Sequence, residues 1–329
     1  MEILLLHPGG LGDIILALPA VALLRERFPD AKITIAGNLD HLAPIAGVYI
    51  DNAISLSTLP LHNLYADKEL PQQDVLFWKS FDRIVSWTGS GDPGFVRKIT
   101  EANPNTRVAS WRPDPQEKRH VSQLFIDSLG PAISAGQNAH SVPIRMHSEL
   151  ASQGVQWLSE HGWDGTELLV ALHPGAGSKT KRWPLQQFIE LARGLRKDGS
   201  TKLLVIEGPA ESGLARAIAG GLPAVPEVAV IRAESLPLNL LAAVMVKCRL
   251  FIGNDSGISH LAASLGIPVV VLFGPTLPRH WAPLGPKVTV LRDSGGCRAC
   301  SLDGDAHTCL ENLALRRVVQ AIRDSKIEI

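Results

Sequence analysis

Two stretches of this sequence share one pattern: residues 4–10 read LLLHPGG and residues 170–176 read VALHPGA. Each is a short apolar run that ends in His-Pro-Gly and a glycine-rich turn. A helical pattern follows both turns, so each stretch predicts a buried strand, a tight turn and a helix. The repeat therefore predicts two α/β domains of similar construction, one in each half of the chain.

The alternation of short apolar runs and helical patterns continues along the whole chain. Strands are predicted at 3–6, 32–36, 53–56, 83–87, 107–111, 168–172, 202–206, 228–231, 250–252, 269–273 and 287–291. Helices are predicted at 16–28, 93–102, 121–129, 148–161, 185–197, 212–219, 238–246, 256–265 and 313–324, with a connector at 131–147. The pattern predicts two Rossmann-like domains with mostly parallel sheets, 1–150 and 151–312, and a terminal helical segment at 313–329.

Length and composition agree with this division and exclude several classes of protein. The chain has 329 residues, which at roughly 150 residues per domain indicates two domains. Lys and Arg together number 32, as do Asp and Glu, and a net charge of +0 excludes a dedicated nucleic-acid coat. The apolar segment 14–24 is shorter than the ~20 residues that span a bilayer, and no basic segment precedes it. We therefore expect a cytoplasmic protein with no nucleic-acid partner.

Three of the four cysteines lie close together near the end of the chain. Cys297, Cys300 and Cys309 are spaced as C-x2-C-x8-C, and His307 is a candidate fourth ligand for zinc. Ordinary thiols or a local disulfide in a glycine-rich loop are the other interpretations, and we expect no metal. The spacing alone leaves the choice between them open.

The first glycine-rich turn contains Gly9, Gly10 and Gly12 and ends in Asp13. A carboxylate at the start of a helix is often a cap that the helix dipole stabilises. In a binding cleft the same carboxylate is a candidate general base that deprotonates a hydroxyl nucleophile. This segment alone does not decide between the two interpretations.

The second turn, residues 173–184, reads HPGAGSKTKRWP. Gly175 and Gly177 let the backbone approach a ligand closely, Ser178 and Thr180 offer hydroxyls, and Lys181 belongs to a basic group before a helix. The spacing is not that of a Walker A loop, but the turn suits a diphosphate. The alternative is a solvated basic loop.

A third polar group follows the predicted strand at 250–252 and consists of Asp255, Ser256, Gly257 and His260. The N–H groups at the start of the next helix suit a phosphate, and Asp255 is better directed at sugar hydroxyls. The alternative is helix capping and a core histidine. The strand after it ends in a turn with Gly274 and Thr276, expected at the same sheet edge.

Several of these motifs together resemble the family 9 glycosyltransferases, the ADP-heptose:lipopolysaccharide heptosyltransferases and their relatives. The motifs are GD at 12–13, LPA at 18–20, KRWP at 181–184, NDSGISH at 254–260 and FGPT at 273–276. Their order and spacing agree from residue 1 to about 325. Two turns depart from the family pattern. The first reads HPGG where the family has a Ser/Thr-rich turn, and the second reads GAGS where the family has a Thr pair.

The resemblance implies a GT-B architecture, with two Rossmann-like domains facing across a cleft and a last helix that often crosses back to the first domain. It implies inversion at the anomeric carbon without a required metal or cofactor. Asp13 matches the proposed catalytic base, Lys181 the lysine that neutralises the donor phosphates, and Asp255 the acid near the donor sugar. Ser256, Gly257 and His260 match the diphosphate block, and Glu211 resembles a glutamate that holds the ribose.

The expected function is therefore heptose transfer from an ADP-sugar to a lipopolysaccharide core or a similar envelope glycan. We also expect an anionic glycolipid as the acceptor and a peripheral contact with the inner face of the cytoplasmic membrane. Two alternatives keep the fold: a sugar-nucleotide epimerase and a catalytically inactive nucleotide-sugar binding protein.

Overall fold

The computed structural model describes residues 1–114, 116–196, 200–222, 230–293 and 309–325. Contacts between residues divide the chain into two compact units, Met1–Ile144 and Arg145–Ile329. The division lies six residues before the boundary expected after residue 150, because helix Ser148–Glu160 packs against helix Leu238–Met245 of the second unit.

The first unit contains a sheet of five parallel strands in the order β3-β2-β1-β4-β5. The strands are β1 Glu2–Leu6, β2 Lys32–Gly37, β3 Asn52–Ser55, β4 Arg83–Ser86 and β5 Thr106–Val108. The helices are α1 Leu11–Arg27, α2 Leu39–Leu42, α3 Leu61–Tyr65, α4 Gln72–Lys79, α5 Pro93–Ala102, α6 Val121–Ser128 and α7 Pro131–Ser134. Helix α7 lies in the segment predicted to be a connector.

The second unit contains a sheet of six parallel strands in the order β11-β10-β9-β6-β7-β8. The strands are β6 Leu168–His173, β7 Thr201–Glu207, β8 Val230–Glu234, β9 Leu250–Asn254, β10 Val269–Phe273 and β11 Val288–Arg292. The helices are α8 Ser148–Glu160, α9 Leu185–Leu195, α10 Leu214–Gly221, α11 Leu238–Met245, α12 Gly257–Ser264, α13 Pro278–Trp281 and α14 Leu315–Asp324. Helix α14 packs against α9, β10 and β11 of this same unit.

Both sheets have the doubly wound order of a Rossmann fold, which confirms two parallel α/β domains. In each unit the order reverses beside the first strand, between β1 and β4 and between β6 and β9. At such a switch point the loops leave the sheet in opposite directions and open a crevice at the carboxyl ends of the strands. The two His-Pro-Gly turns follow β1 and β6, so each lies at a switch point.

The central strands read as continuous apolar runs because helices cover both faces of each sheet. Residues of β1 from Ile3 to Leu6 are 0% exposed, and β10 is buried along its whole length. Helix α1 begins at Leu11, five residues earlier than predicted, and continues through Pro19 without a break. None of the helices in the described ranges is long and apolar enough to cross a membrane.

Candidate functional site

Three loops meet at the switch point of the second unit. One follows β6, one follows β9, and the third follows β10, which pairs with β9 on its other side. These are the loops that contain the second turn, the Asp255 group and the Gly274 turn. The strand order therefore brings together segments separated by as many as a hundred residues in the sequence.

Lys181, Asp255 and Thr276 form one connected group at this edge. The Lys181 ammonium donates to Oδ2 of Asp255 at 2.9 Å, and the Thr276 hydroxyl donates to the same oxygen. The Asp255 side chain is 6% exposed and that of Lys181 is 29% exposed. A buried carboxylate is thus paired with a lysine whose side chain is partly exposed.

The N-terminus of helix α12 lies beside this group. Ser256 is its N-cap residue in an extended conformation, with φ of −155°, and Gly257 is the first helical residue. The Ser256 hydroxyl lies 3.1 Å from Nδ1 of His173, at the end of β6. His260, predicted at the same site, is buried within the first turns of α12. The first N–H groups of a helix, with the helix dipole behind them, favour an anion here.

Glu211 belongs to the same group of loops. One carboxylate oxygen, Oε2, lies 3.7 Å from Nε2 of His173, and the other lies 3.8 Å from the Arg182 guanidinium. Burial raises the pKa of Glu211, but its interactions with His173, then with the Gly208 N–H and Arg182, outweigh burial and leave that pKa below its ordinary value. The side chain is therefore an ionised hydrogen-bond acceptor at neutral pH.

Gly175 allows Glu211 to occupy this position. A Cβ at residue 175 would lie 2.2 Å from Oε2 of Glu211, closer than any contact tolerates. Gly177, two residues on, has open space where a side chain would be. Of the two glycines predicted to line the second turn, Gly175 is thus needed for this position of the Glu211 carboxylate, and Gly177 is not.

The remaining predicted residues of this unit are Ser178 and Thr180, which are exposed or half-buried, and Gly274, which is buried. The hydroxyls of Ser178 and Thr180 are 2.9 Å apart, and Ser178 is exposed. Gly274 lies against the Leu310 side chain, and a Cβ there would be 3.3 Å from the carbonyl oxygen of Thr180. Ser178 and Thr180 are accessible donors near Lys181, whereas Gly274 serves close packing of the loop.

Asn254 connects the second and third turns, a role that the sequence interpretation did not assign. Its side-chain amide donates to the carbonyl oxygens of Pro174 at 2.8 Å and Gly175 at 3.2 Å. Its Oδ1 accepts from the N–H of Trp183 at 2.9 Å, and Asn254 is 0% exposed. The only sign of this role in the sequence was an Asn at the end of an apolar run, directly before Asp255. Trp183 is a buried packing residue, and its indole N–H donates to the carbonyl oxygen of Leu313.

The first turn, in the other unit, is arranged around Asp13. The Gly10 N–H donates to Oδ2 of Asp13 at 2.8 Å, so the carboxylate caps helix α1. A Cβ on Gly9 would lie 2.6 Å from Cβ of Asp13, so this turn also depends on glycine. Gly12 is half-buried in the first turn of α1. The capping contact accounts for the early start of α1 and is compatible with a second role for the carboxylate.

The cysteine motif is described only in part. Cys297, Cys300 and His307 lie outside the described residues, whereas Cys309 is buried. Cys248 is also buried, and burial raises the pKa of its thiol well above the ordinary value. Within the described ranges, no three His, Cys, Asp or Glu side chains are grouped so as to hold a metal ion.

Comparison with known proteins places this geometry in a family. Residues 146–310 match the family described as glycosyltransferase family 9 (heptosyltransferase). The chain is 30% identical to lipooligosaccharide heptosyltransferase 2 of Haemophilus ducreyi over 98% of both proteins. A shorter alignment with lipooligosaccharide heptosyltransferase 2 of Haemophilus influenzae is 32% identical and covers 39% of this chain and 37% of that relative.

The fold has a solved counterpart. The structure of the E. coli ADP-heptose LPS heptosyltransferase II matches with a TM-score of 0.77 at 19% identity, over 99% of this chain and 98% of that one. This likeness confirms the expected GT-B fold class. Together with the full-length relative and the family match, it leads to one conclusion: the chain is a member of glycosyltransferase family 9.

Proposed function

We propose that this glycosyltransferase transfers heptose from ADP-heptose to the core of a lipopolysaccharide, with inversion at the anomeric carbon and without a required metal. The observation that carries the proposal is the Lys181–Asp255 pair beside the N-terminus of α12, inside the segment that matches the family. The full-length relative is named as a heptosyltransferase, and the similar solved structure is named for ADP-heptose.

The chemistry of the leaving group fits this site. When the bond between the anomeric carbon and the phosphate oxygen breaks, the electron pair stays on ADP, whose diphosphate gains negative charge. Lys181 and the N–H groups at Ser256 and Gly257 then bind the product-like diphosphate more strongly than the ground state. These groups supply the charge stabilisation for which other enzymes use a divalent cation, so we expect transfer to continue in a chelator.

Glu211 is proposed to hold the donor ribose. Its lowered pKa keeps the carboxylate ionised at neutral pH, and an ionised carboxylate accepts hydrogen bonds from two vicinal hydroxyls. His173 and Arg182 hold its two oxygens, which fixes the direction of the side chain. We propose that Asp255 accepts hydrogen bonds from the hydroxyls of the donor sugar. Ser178 and Thr180 are hydrogen-bond donors at the edge of the site.

Asp13 is proposed as the general base. The acceptor hydroxyl gives its proton to the Asp13 carboxylate while its oxygen forms a bond to the anomeric carbon and ADP departs from the opposite face. This single displacement inverts the anomeric configuration. The proposed reaction balances without a further cofactor.

The acceptor and the location follow from the proposed reaction. A lipopolysaccharide core is an anionic glycolipid, so we propose a cytoplasmic enzyme with a peripheral contact at the inner face of the membrane. The epimerase alternative is not favoured, because the family and the relatives are heptosyltransferases. Only a transfer assay distinguishes an inactive nucleotide-sugar binding protein from an active enzyme.

The test uses purified protein, lipopolysaccharide that lacks heptose, and ADP-heptose beside matched UDP-, GDP- and CMP-sugars. We expect one added heptose by mass spectrometry with the ADP donor only, and the same yield in EDTA. Thermal shifts with the four nucleotides provide a second readout, since a ligand that binds only the folded state raises the midpoint. A selective ADP shift without turnover supports the inactive binding protein, and selective turnover with another donor contradicts the donor assignment.

A further inference from the structure

His7 is a buried histidine that the proposed reaction does not use. It follows β1 at the switch point of the first unit and is 1% exposed. Its ring lies 5.3 Å from the ring of Trp87 and 5.4 Å from that of Phe125, measured between centroids. The imidazole thus lies among aromatic side chains at the end of a central strand.

The hydrogen bonds of His7 determine its tautomer. The N–H of Gly9 donates to Nδ1 at 3.1 Å, so Nδ1 has no proton of its own. Burial lowers the pKa of His7 to about 4, and backbone interactions, the first with Asp13, offset only part of that effect. The ring is therefore neutral at physiological pH and has its proton on Nε2, which has no hydrogen-bond partner in the described part of the chain.

Gly9 places this ring beside the Asp13 carboxylate. A Cβ on Gly9 would lie 2.7 Å from Cε1 of His7 and 2.8 Å from Oδ2 of Asp13. Both side chains therefore pack against the same side of Gly9, with no room for a further atom. The next residue, Gly10, donates its N–H to Oδ2 of Asp13 at 2.8 Å. A shift of the Gly9 backbone would thus move the group that orients the carboxylate.

We propose that His7 is a positioning residue for Asp13. This inference rests on the proposed function, in which Asp13 is the base. Nδ1 of His7 fixes the Gly9 N–H, the fixed turn presents the Gly10 N–H, and that N–H orients Oδ2 of Asp13. Because the ring is neutral, it does this without a cation beside the carboxylate, which would stabilise the ionised form and weaken it as a base.

The equivalent histidine of the repeat shows that the environment determines the role. His173 is the last residue of β6, and His7 directly follows β1, but the ring of His173 contacts Ser256 and Glu211. A polar environment there suits a contact with ligand-binding groups, whereas the aromatic environment of His7 suits a fixed neutral acceptor.

The test compares two amide variants, each of which places a polar group near one of the two ring nitrogens of His7. In His7→Asn the side-chain oxygen replaces Nδ1 and accepts from Gly9, whereas in His7→Gln the amide reaches toward the position of Nε2 instead. We expect His7→Asn to keep kcat within about threefold and His7→Gln to lose about 100-fold in kcat, as expected for a displaced catalytic group. The Kd for ADP, whose proposed site is in the other unit, should change in neither variant. Equal kcat in the two variants, or a parallel loss of ADP affinity, would overturn the proposal.

Two measurements separate this proposal from the proposed function. Imidazole 15N NMR of the full-length protein should show His7 neutral and protonated on Nε2 at pH 6, and a charged ring or the opposite tautomer would overturn the inference. Crystal structures should show a displaced Asp13 carboxylate in His7→Gln and a native one in His7→Asn; identical positions would count against it. If the wild-type protein transfers no heptose, the proposed function fails, while these two measurements still decide whether His7 orients Asp13.

Discussion

The Lys181 ammonium lies 2.9 Å from Oδ2 of Asp255, so the cation proposed to bind the donor diphosphate is paired with a carboxylate of the same site. Asp255 is nearly buried and Lys181 is accessible. A buried carboxylate without its cation would be costly, so the pair keeps the ammonium at the carboxyl edge of the sheet. A bound diphosphate must share Lys181 with Asp255, and this competition sets the direction of two predictions.

Replacing Lys181 with alanine should weaken ADP binding about tenfold or more, because the accessible charge at the site is lost. The loss in kcat/KM should exceed the loss in affinity, since the diphosphate is more negative in the transition state. Lys179→Ala is the matched control, because Lys179 is an exposed lysine two residues away. We expect less than about a twofold change in the control. Isothermal titration with ADP checks both variants, and equal affinities would remove Lys181 from the site.

Asp255→Asn should separate donor binding from transfer. The amide keeps the shape and its oxygen still accepts from Thr276, but without the negative charge it competes less strongly with the diphosphate for Lys181. We expect ADP affinity to rise by about threefold to tenfold, in line with the roughly 1 kcal/mol net value of an ordinary hydrogen bond, and we expect kcat to fall. The measurement is ADP affinity at two salt concentrations beside steady-state kinetics. Weaker ADP binding would show that Asp255 does not compete for the lysine.

The sequence predicted the strands of the sheets because their apolar runs are local. It also drew attention to Lys181 and Asp255, because each lies in a short motif, and the structure pairs their side chains. It did not predict Asn254 as a connection, since its partners Pro174 and Trp183 lie some 70 to 80 positions away and meet it only because β9 pairs with β6. The early start of α1 was missed for a local reason: three glycines hid a helix that Asp13 caps. The neutral state of His7 depends on Trp87 and Phe125, which no local pattern relates to it.

Two substitutions of Asp13 distinguish its proposed role as general base from its role as a cap of helix α1. Asn still accepts from the Gly10 N–H, so Asp13→Asn should keep thermal stability and ADP affinity while transfer falls at least about 100-fold. Asp13→Ala loses both functions and should be less stable by about 1 kcal/mol as well. Urea unfolding and transfer assays on both variants provide the measurement. Full turnover by the Asn variant would leave Asp13 as a helix cap only.

The buried state of His7 should make the stability of the first unit depend on pH. Its pKa is about 4 in the folded chain against an ordinary value of 6.5, so between these values the unfolded chain binds more protons. The free energy of unfolding therefore falls as the pH falls from 6.5 to about 4, by up to about 3 kcal/mol from this group. Urea unfolding from pH 7 to pH 4 measures the slope. His7→Asn has no such proton to bind, so its slope should be smaller, and equal slopes would assign the effect to other groups.

Gly175→Ala should show whether the position of Glu211 matters for the donor. The new methyl group would lie 2.2 Å from Oε2 of Glu211, so the carboxylate must leave its contacts with His173 and Arg182. If Glu211 holds the ribose as proposed, the displaced carboxylate loses that contact, and we expect ADP affinity to fall about tenfold, the value of one strong charged hydrogen bond. Gly177→Ala is the control, because a methyl group there meets no atom within 4 Å. 2′-Deoxy-ADP makes the comparison sharper: the wild-type protein should bind it more weakly than ADP, whereas Gly175→Ala should bind the two equally. An undiminished preference for ADP in that variant would mean that another group holds the ribose.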